Sequence, residues 1–332
     1  MSSSKNSYLN GKDILITGAT GLIGSWLVKD LMRQNANISI IINNSKRPSE
    51  LSNSSCLDKV SRYYGNIQDL SLVKEIFLKN HFDIVFHLAS INWTYGSQFS
   101  PIETYETNIK GTYNILECCR LTNNRFLSII ILSSREIYSE SHADSKGSIL
   151  RRSYHPYEVS KRTVGLLCES FARTYALNIK VLISSNIYGG GDFNWSRIVP
   201  GTIRSILNNE NPTIRTDGTI KRNYIYVEDI VRAIKYISFQ KNSDTNYVSN
   251  YNIKDYDLMA SIDLVKKMIL ISGNNNLKPV VLDKSKDEKR FQNVLGFANV
   301  EDLGWLPKFS IDEGLLRTYK WYLKYSTNYE LA

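Results

Sequence analysis

Residues 13–24 read Asp13-Ile14-Leu15-Ile16-Thr17-Gly18-Ala19-Thr20-Gly21-Leu22-Ile23-Gly24, and this stretch decides the fold. The run DILIT has the length and the branched apolar side chains of a buried strand. It passes directly into G-x-x-G-x-x-G and then into a segment expected to be helical over Ser25–Arg33. Strand, glycine turn and helix in that order are what a dinucleotide pyrophosphate needs. Glycines let the backbone approach closely, and the helix N-terminus supplies free N–H groups and a positive dipole. The turn, with Gly18, Thr20, Gly21, Leu22, Ile23 and Gly24, is the candidate cofactor cradle.

The same rhythm continues outward. Strand-like runs at Ile38–Ile42, Asp83–His87, Phe126–Leu132 and Ile179–Ile183 alternate with amphipathic segments of helix length. Repeated βαβ units of this kind predict an α/β fold: a Rossmann doubly wound parallel sheet with helices on both faces. After about residue 190 the rhythm breaks. The segment GGGDFNW (Gly189–Trp195) reads as a flexible loop, and short strands such as Asn223–Val227 then mix with helices. The expected division is a cofactor-binding Rossmann domain over 1–185 and a smaller C-terminal α/β substrate lobe over 186–332, interleaved across a soft boundary.

Composition fits that reading. The chain has 332 residues with 42% hydrophobic and 22% charged, enough to bury a large core, which excludes disordered and fibrous classes. The balance of 41 Lys+Arg against 32 Asp+Glu gives +9, which suits nucleic acid, a membrane surface or an anionic small substrate. The charges are scattered and no basic run is interleaved with aromatics, so neither nucleic acid nor membrane is expected as a partner. Its apolar runs fall well short of the ~20 residues a membrane helix needs. The polar start MSSSKNSYLNGK lacks the apolar core of an export signal, so a cytoplasmic location is expected. Cys56, Cys118, Cys119 and Cys168 have no C-x-x-C spacing and read as reduced thiols, and no His, Cys, Asp and Glu cluster has metal spacing, so no metal is expected.

The catalytic candidate is Tyr157-Glu158-Val159-Ser160-Lys161, downstream of Ser133-Ser134. At i and i+4 on a helix Tyr157 and Lys161 share one face, so the ammonium can lower the phenol from its usual ~10 toward working pH. The phenolate then serves as base, while Ser134, at the end of the preceding strand, holds the substrate alcohol and hydride leaves carbon for a nicotinamide. Two further segments bear on the cofactor. At the end of the second strand a ribose-binding carboxylate is expected, but Asn43 and Asn44 stand there, followed by Ser45, Lys46 and Arg47, which leaves NAD and NADP both open. Asn66 and Asp69, with Ile67 between them, follow the third strand, where an amide can face the adenine edge.

Together, TGATGLIG, HLAS (His87–Ser90), PIETYETNIKGT (Pro101–Thr112), SSREIY (Ser133–Tyr138), YEVSK and SNIYGGG (Ser185–Gly191) resemble the extended short-chain dehydrogenases of the NAD-dependent epimerase/dehydratase type, which modify nucleotide sugars. The similarity runs down to LGWLPKFSIDEGLLRTYKWY, and GSWL, NIYGGGDFNWSRIVP and RNYIYVEDIVRAI look most like the CDP-glucose 4,6-dehydratase and related branches. The resemblance implies that Gly18, Gly21 and Gly24 hold the pyrophosphate, that Asn44, Asn66, Ile67, Leu88, Ala89, Tyr157 and Lys161 also line the cofactor, and that Asn108 is the family's buried strand-organising asparagine. It places Ser90, Arg135, Asn186, Arg197, Arg222 and Arg290 toward a nucleoside-diphosphate sugar, where a planar guanidinium suits phosphate oxygens. A homodimer through the helices flanking Y-x-x-x-K is implied as well.

All branches begin alike, with Tyr157 taking the C4-hydroxyl proton and a 4-keto sugar forming. A 4,6-dehydratase then needs a base and an acid just after the serine, and Arg135 and Glu136 occupy those positions. Glu136 can be the base. Arg135 cannot be the acid, because a guanidinium holds its proton up to pH ~12 and beyond. Turned toward the sugar C6, it favours a carboxylate there, and hence a uronic acid. Net C4 epimerisation, which needs only Ser134, Tyr157, Lys161 and the cofactor, is the preferred reading, ahead of 4,6-dehydration or decarboxylation of a 4-keto uronate. A cofactor-binding regulator without turnover is the rival from another class, opposed by the intact Ser-Tyr-Lys set. Among other residues, His87 at a strand end reads as packing or bonded to backbone, Trp93 and Tyr95 as possible lining of a sugar pocket, and His142 and His155 as lying in a polar stretch of no assigned role.

Overall fold

The computed structural model describes residues 8–43, 49–53, 55–92, 99–122, 128–134, 155–184, 186–240, 248–254, 256, 258–282 and 297–325. The first half alternates strand and helix: β1 (Asp13–Thr17), α1 (Leu22–Met32), β2 (Asn37–Ile42), β3 (Ser61–Tyr64), α2 (Leu70–Lys79), β4 (Ile84–His87), α3 (Pro101–Tyr105), a π-helical turn (Glu106–Lys110), α4 (Gly111–Leu121), β5 (Ser128–Ser134), α5 (Pro156–Tyr175) and β6 (Ile179–Ser184). The second half carries β7 (Asn186–Tyr188), α6 (Ile198–Leu207), β8 (Thr213–Ile214), β9 (Lys221–Arg222), β10 (Tyr224–Tyr226), α7 (Val227–Ser238), β11 (Ser249–Asn252), β12 (Met259–Ala260), α8 (Ser261–Ser272), β13 (Val280–Val281), β14 (Ala298–Asn299) and α9 (Ile311–Tyr325).

Eight strands form one sheet in the order β14-β11-β6-β5-β4-β1-β2-β3, and every neighbouring pair is parallel. The chain moves outward from β1 on one side, then returns to its other side with β4, so the strand order reverses between β1 and β4. Ligands of doubly wound sheets bind at that reversal, outside the carboxyl ends of the strands. The expected doubly wound architecture is thus present, and β11 and β14 from the second half return to its far edge.

Side-chain alternation builds a core on each face. Ile14 and Ile16 of β1, with Ile84 and Phe86 of β4, pack one way against Leu27, Val28 and Leu31 of α1 and Ile230, Ile234 and Ile237 of α7. Leu15, Val85, Ile129 and Ile131 pack the other way against Ile76 and Phe77 of α2, Ile115 and Leu116 of α4, and Val164 and Cys168 of α5. Each such fully buried side chain contributes roughly 1.5–3 kcal/mol. A third cluster, including Tyr188, Ile203, Leu264, Leu315 and Tyr322, fills the second lobe. The cysteines are free thiols, three of them buried. Among the described residues no helix is long and apolar enough to cross a membrane.

Two local expectations need correction. Helix α1 starts at Leu22 rather than Ser25, because Gly21 is its N-cap and Gly24 lies in its first turn, where a Cβ would overlap the Gly18 carbonyl. The Gly189–Trp195 segment is not a free loop. Gly190 lies against the Trp321 ring where a side chain would not fit, and its carbonyl accepts from Trp26 Nε1 at 2.8 Å. Buried Asp192 accepts from Asn194 N through Oδ1 and from Arg197 through Oδ2, and its carbonyl takes the Tyr322 hydroxyl at 2.6 Å. Glycines here permit close packing under α9 instead of mobility.

Candidate active site

The glycine turn sits at the C-terminal end of β1. Gly18 has φ +69°, a left-handed conformation that suits glycine, and a Cβ there would lie 2.6 Å from both Leu88 C and Ala89 N. The turn is therefore pressed onto the end of β4, where Leu88 N donates to Thr17 O at 3.1 Å and Ala89 N to Thr17 Oγ1 at 3.2 Å. This brings Leu88 and Ala89, both expected at the cofactor, against Gly18. No side chain caps α1 at Gly21, and no acidic residue stands in its first turn. The first N–H groups of α1, uncapped by any side chain, and the close glycine packing fit a dinucleotide pyrophosphate.

The second expected cofactor segment follows β3. Asn66 is exposed after β3, and Ile67 is buried with its carbonyl bonded to Asn114 Nδ2 at 2.9 Å. Asp69 caps α2, accepting from Ser71 N and Leu72 N at 2.9 and 3.2 Å, so its carboxylate serves the helix N-terminus. Asn43 is exposed just beyond β2. Asn44 lies outside the described residues, as do Arg135, Glu136, Arg290, Trp93, Tyr95 and His142.

Tyr157 and Lys161 lie on the first turns of α5, which starts with Pro156 at its first helical position, where a missing N–H is harmless. Both side chains are buried. Lys161 Nζ donates to Leu132 O at 3.1 Å, tying the helix to β5 two residues before half-buried Ser134. Burial pushes the Lys161 ammonium down to about 8. Ser134 itself pairs in register with Ser184 of β6. The Ser-Tyr-Lys set named from the sequence thus stands on two adjoining elements at the carboxyl edge of the sheet.

Asn108, expected to organise the strands, uses all its side-chain polar atoms to join the segment after β4 to α5. Asn108 Oδ1 accepts from Ile91 N at 2.7 Å and Ser90 Oγ at 3.1 Å, and its Nδ2 donates to Ile91 O at 3.0 Å and Ser160 Oγ at 2.8 Å. Ser90, expected at the substrate, therefore has its hydroxyl on Asn108. The π-helical turn puts Asn108 in this position, a local widening that no sequence pattern announces.

Sequence reasoning also missed Thr17, Thr112 and Ser160, and His87, expected as packing or bonded to backbone, bonds two side chains. Its Nδ1 lies 2.7 Å from Thr17 Oγ1 and its Nε2 2.9 Å from Thr112 Oγ1. The available signal was spacing alone: Thr112 follows Asn108 by one helical turn, and Thr17 directly precedes the glycine turn.

Of the residues expected at the diphosphate, Asn186 and Arg222 fall on neighbouring segments: Asn186 Nδ2 donates to Asn223 O at 3.2 Å, beside half-exposed Arg222. Arg197, the N-cap of α6, pairs with buried Asp192 at 3.0 Å. A separate crevice of about 310 Å³ is lined by Tyr188, Asn223, Tyr226, Asp229, Tyr256 and Phe309 among others, and includes neither Tyr157 nor Lys161. Several of its polar groups are held by the protein: Asp229 accepts from Lys308 N and Phe309 N, Tyr188 bonds Ile311 O, and Asn223 bonds Lys254 O.

A family model described as the NAD dependent epimerase/dehydratase family matches residues 14–253. A dTDP-D-glucose 4,6-dehydratase of Dictyostelium discoideum is 31% identical, with 97% of this chain and 85% of that protein covered. The solved UDP-glucose 4-epimerase of Thermotoga maritima, determined with UDP-glucose, is 27% identical with a TM-score of 0.81, covering 94% of this chain and 99% of the other. A UDP-glucose 4-epimerase of Thermus thermophilus solved with NAD shares the fold at 22% identity and a TM-score of 0.78, over 94% and 99% of the two chains.

Proposed function

The chain belongs to the NAD-dependent epimerase/dehydratase family, and from that premise we propose that it oxidises the C4 hydroxyl of a nucleoside-diphosphate sugar to a transient 4-keto sugar and returns the hydride to give net C4 epimerisation. The observation that carries this reading is the buried Tyr157–Lys161 pair, anchored through Lys161 Nζ to the strand that ends in Ser134. A nicotinamide dinucleotide held at the Gly18, Gly21 and Gly24 turn would supply the hydride acceptor and donor.

The chain's own residues do the rest. Ser134 donates to the C4 oxygen and orients it. Tyr157 takes the hydroxyl proton and later gives it back, so acid and base are one group. Lys161, charged at neutral pH even with its pKa near 8, stabilises the phenolate. Gly18, Gly21 and Gly24 admit the pyrophosphate to the N-terminus of α1, with Thr20, Leu22, Ile23, Leu88 and Ala89 around it. Residues 186–332 mainly hold the sugar nucleotide, through Asn186, Arg197, Arg222 and Arg290, and 1–185 the cofactor. Tyr113 and Leu121 of α4 and Leu166 of α5, all exposed, support pairing of two copies through these helices.

The second reading, 4,6-dehydration, is favoured by the dehydratase name of the Dictyostelium relative. Arg135 weighs against it, since a guanidinium cannot protonate the departing O6. It points instead to a sugar carrying a carboxylate at C6, and decarboxylation of the 4-keto uronate is then a further outcome. The test is incubation of purified protein with UDP-, CDP-, GDP- and dTDP-hexoses and uronates plus NAD or NADP, with products identified by mass and NMR. Unchanged mass with inverted C4 establishes the epimerase, loss of water the dehydratase and loss of carbon dioxide the decarboxylase. Binding of neither cofactor would overturn the whole reading. Loss of preference for uronates in Arg135→Ala is the expected result for the carboxylate contact, and unchanged preference refutes it.

A further inference from the structure

Between the glycine turn and the Tyr157–Lys161 helix runs a chain of buried polar side chains: Thr17, His87, Thr112, Asn108 and Ser160, each no more than 3% exposed. The directions of its hydrogen bonds follow from counting protons. Thr112 has one hydroxyl proton, and its Oγ1 donates to Asn108 O at 2.5 Å. Toward His87 it can therefore only accept, so Nε2 carries the imidazole proton and donates. Nδ1 is then the acceptor, and Thr17 Oγ1 donates to it while itself accepting from Ala89 N. Beyond Asn108 the amide donates to Ser160 Oγ, whose own proton goes to Tyr157 O at 2.7 Å. One end of this chain is the residue before Gly18, and the other is the residue before Lys161.

The imidazole is uncharged throughout the working range. Burial, seconded by the Lys161 ammonium facing it from α5, pushes His87 down to about 3. Cys168, which faces Lys161 from the same helix, is also neutral, its thiol pushed by burial up to about 12. A neutral group that bridges two hydroxyls with one donor and one acceptor holds its neighbours in a single arrangement. It also adds no second positive charge beside Lys161.

We propose that His87 is a positioning residue of the reaction: a neutral, one-way hydrogen-bonded strut through which the cofactor turn fixes the depth of the Tyr157–Lys161 pair beneath it. This rests on the function proposed above, since it assigns those two residues the proton step. Buried His87 acts through Thr17 on one side and through Thr112 and Asn108 on the other.

The test uses the cofactor-loaded protein. Titration of Tyr157 is followed by the 13Cζ resonance of labelled tyrosine, assigned with Tyr157→Phe, and kcat and KM are measured alongside. His87→Leu keeps bulk and removes both bonds. His87→Gln keeps an acceptor for Thr17 and a donor for Thr112 in the same order. Thr112→Val cuts one link with an isosteric side chain and serves where His87→Leu does not fold. In the cut variants the Tyr157 pKa is expected to rise by about half a pH unit for each ångström by which the phenolate and ammonium separate. Loss of kcat is expected to reach roughly tenfold with the sugar KM held within about twofold, and His87→Gln is expected to restore both. A folded His87→Leu or Thr112→Val protein with wild-type titration and kcat overturns the strut, as does His87→Gln behaving like His87→Leu. If no nucleotide sugar is turned over by the wild type, the proposed function fails, while the Tyr157 titration still decides the role of His87.

Discussion

Asn108 Nδ2 lies 2.8 Å from Ser160 Oγ, a buried contact across 52 residues of sequence that ties the helix carrying Tyr157 and Lys161 to the π-helical turn before α4. Because Ser160 in turn bonds Tyr157 O, displacement of Asn108 is felt at the base of the reaction within a single helical turn.

Asn108→Leu is expected to lower the unfolding free energy by roughly 2–4 kcal/mol, since Ile91 N–H and C=O and the Ser160 hydroxyl lose a buried partner together. Urea denaturation checks this. A loss below about 1 kcal/mol would mean that water or a rearranged loop replaces the amide.

Tyr157→Phe removes the phenol while keeping the ring in its buried place, and it is expected to reduce kcat by about 10³ with cofactor affinity nearly unchanged. Lys161→Met is expected to leave residual activity that climbs toward pH ~10, where an unassisted phenol ionises. Kinetics across pH decide both, and a flat profile in Lys161→Met would remove Lys161 from the proton step.

The buried titratable groups also set the pH dependence of stability. His87 is protonated below about 3 in the fold against 6.5 ordinarily, so the unfolded chain takes up that proton first. Stability should therefore fall as pH drops from about 6.5 toward 3, at up to about 1.4 kcal/mol per pH unit from this group. Lys161 and Lys180 are both lowered by burial to about 8 from 10.5. Their cost is fully present below about 8 and is relieved as pH rises to 10.5, so both push stability upward across that window. Denaturation series should show the acid slope flattened in His87→Gln and the alkaline rise roughly halved in Lys161→Met.

What the sequence made legible was whatever repeats locally. Strands such as Asp13–Thr17 and the helix carrying Tyr157 and Lys161 declare themselves by length and spacing. The glycine turn is legible because only glycine fits where Gly18 meets Leu88 and Ala89. Contacts between residues far apart in sequence were not legible. The burial of Gly190 under Trp321 reads in sequence as a flexible run, and His87 bridging Thr17 and Thr112 joins residues 70 and 25 positions apart. β11 and β14 are too short and polar to announce that they close the sheet edge.

Asn43 stands exposed just after β2, where a carboxylate normally accepts from the adenosine ribose hydroxyls. An amide there binds a 2′-hydroxyl less strongly and does not repel a 2′-phosphate. Asn43→Asp is expected to tighten NAD severalfold and to weaken NADP by roughly tenfold or more, through repulsion between the new carboxylate and the phosphate. Dissociation constants for the two cofactors, by fluorescence or calorimetry, check this. Equal changes for both would mean that the residue lies away from the ribose.

Leu166 on α5 is 61% exposed, and Leu121 and Tyr113 on the adjoining α4 are 48% and 38% exposed. In a two-fold dimer built on these helices the same patch serves both copies, so one substitution acts twice. A glutamate at 166 would desolvate two carboxylates in an apolar interface, without touching the buried face that carries Val164 and Cys168. Leu166→Glu is therefore expected to run as a monomer in multi-angle light scattering where the wild type runs as a dimer, with an unchanged far-UV spectrum. A monomeric wild type, or a Leu166→Glu protein that stays dimeric, would place the assembly surface elsewhere or remove it.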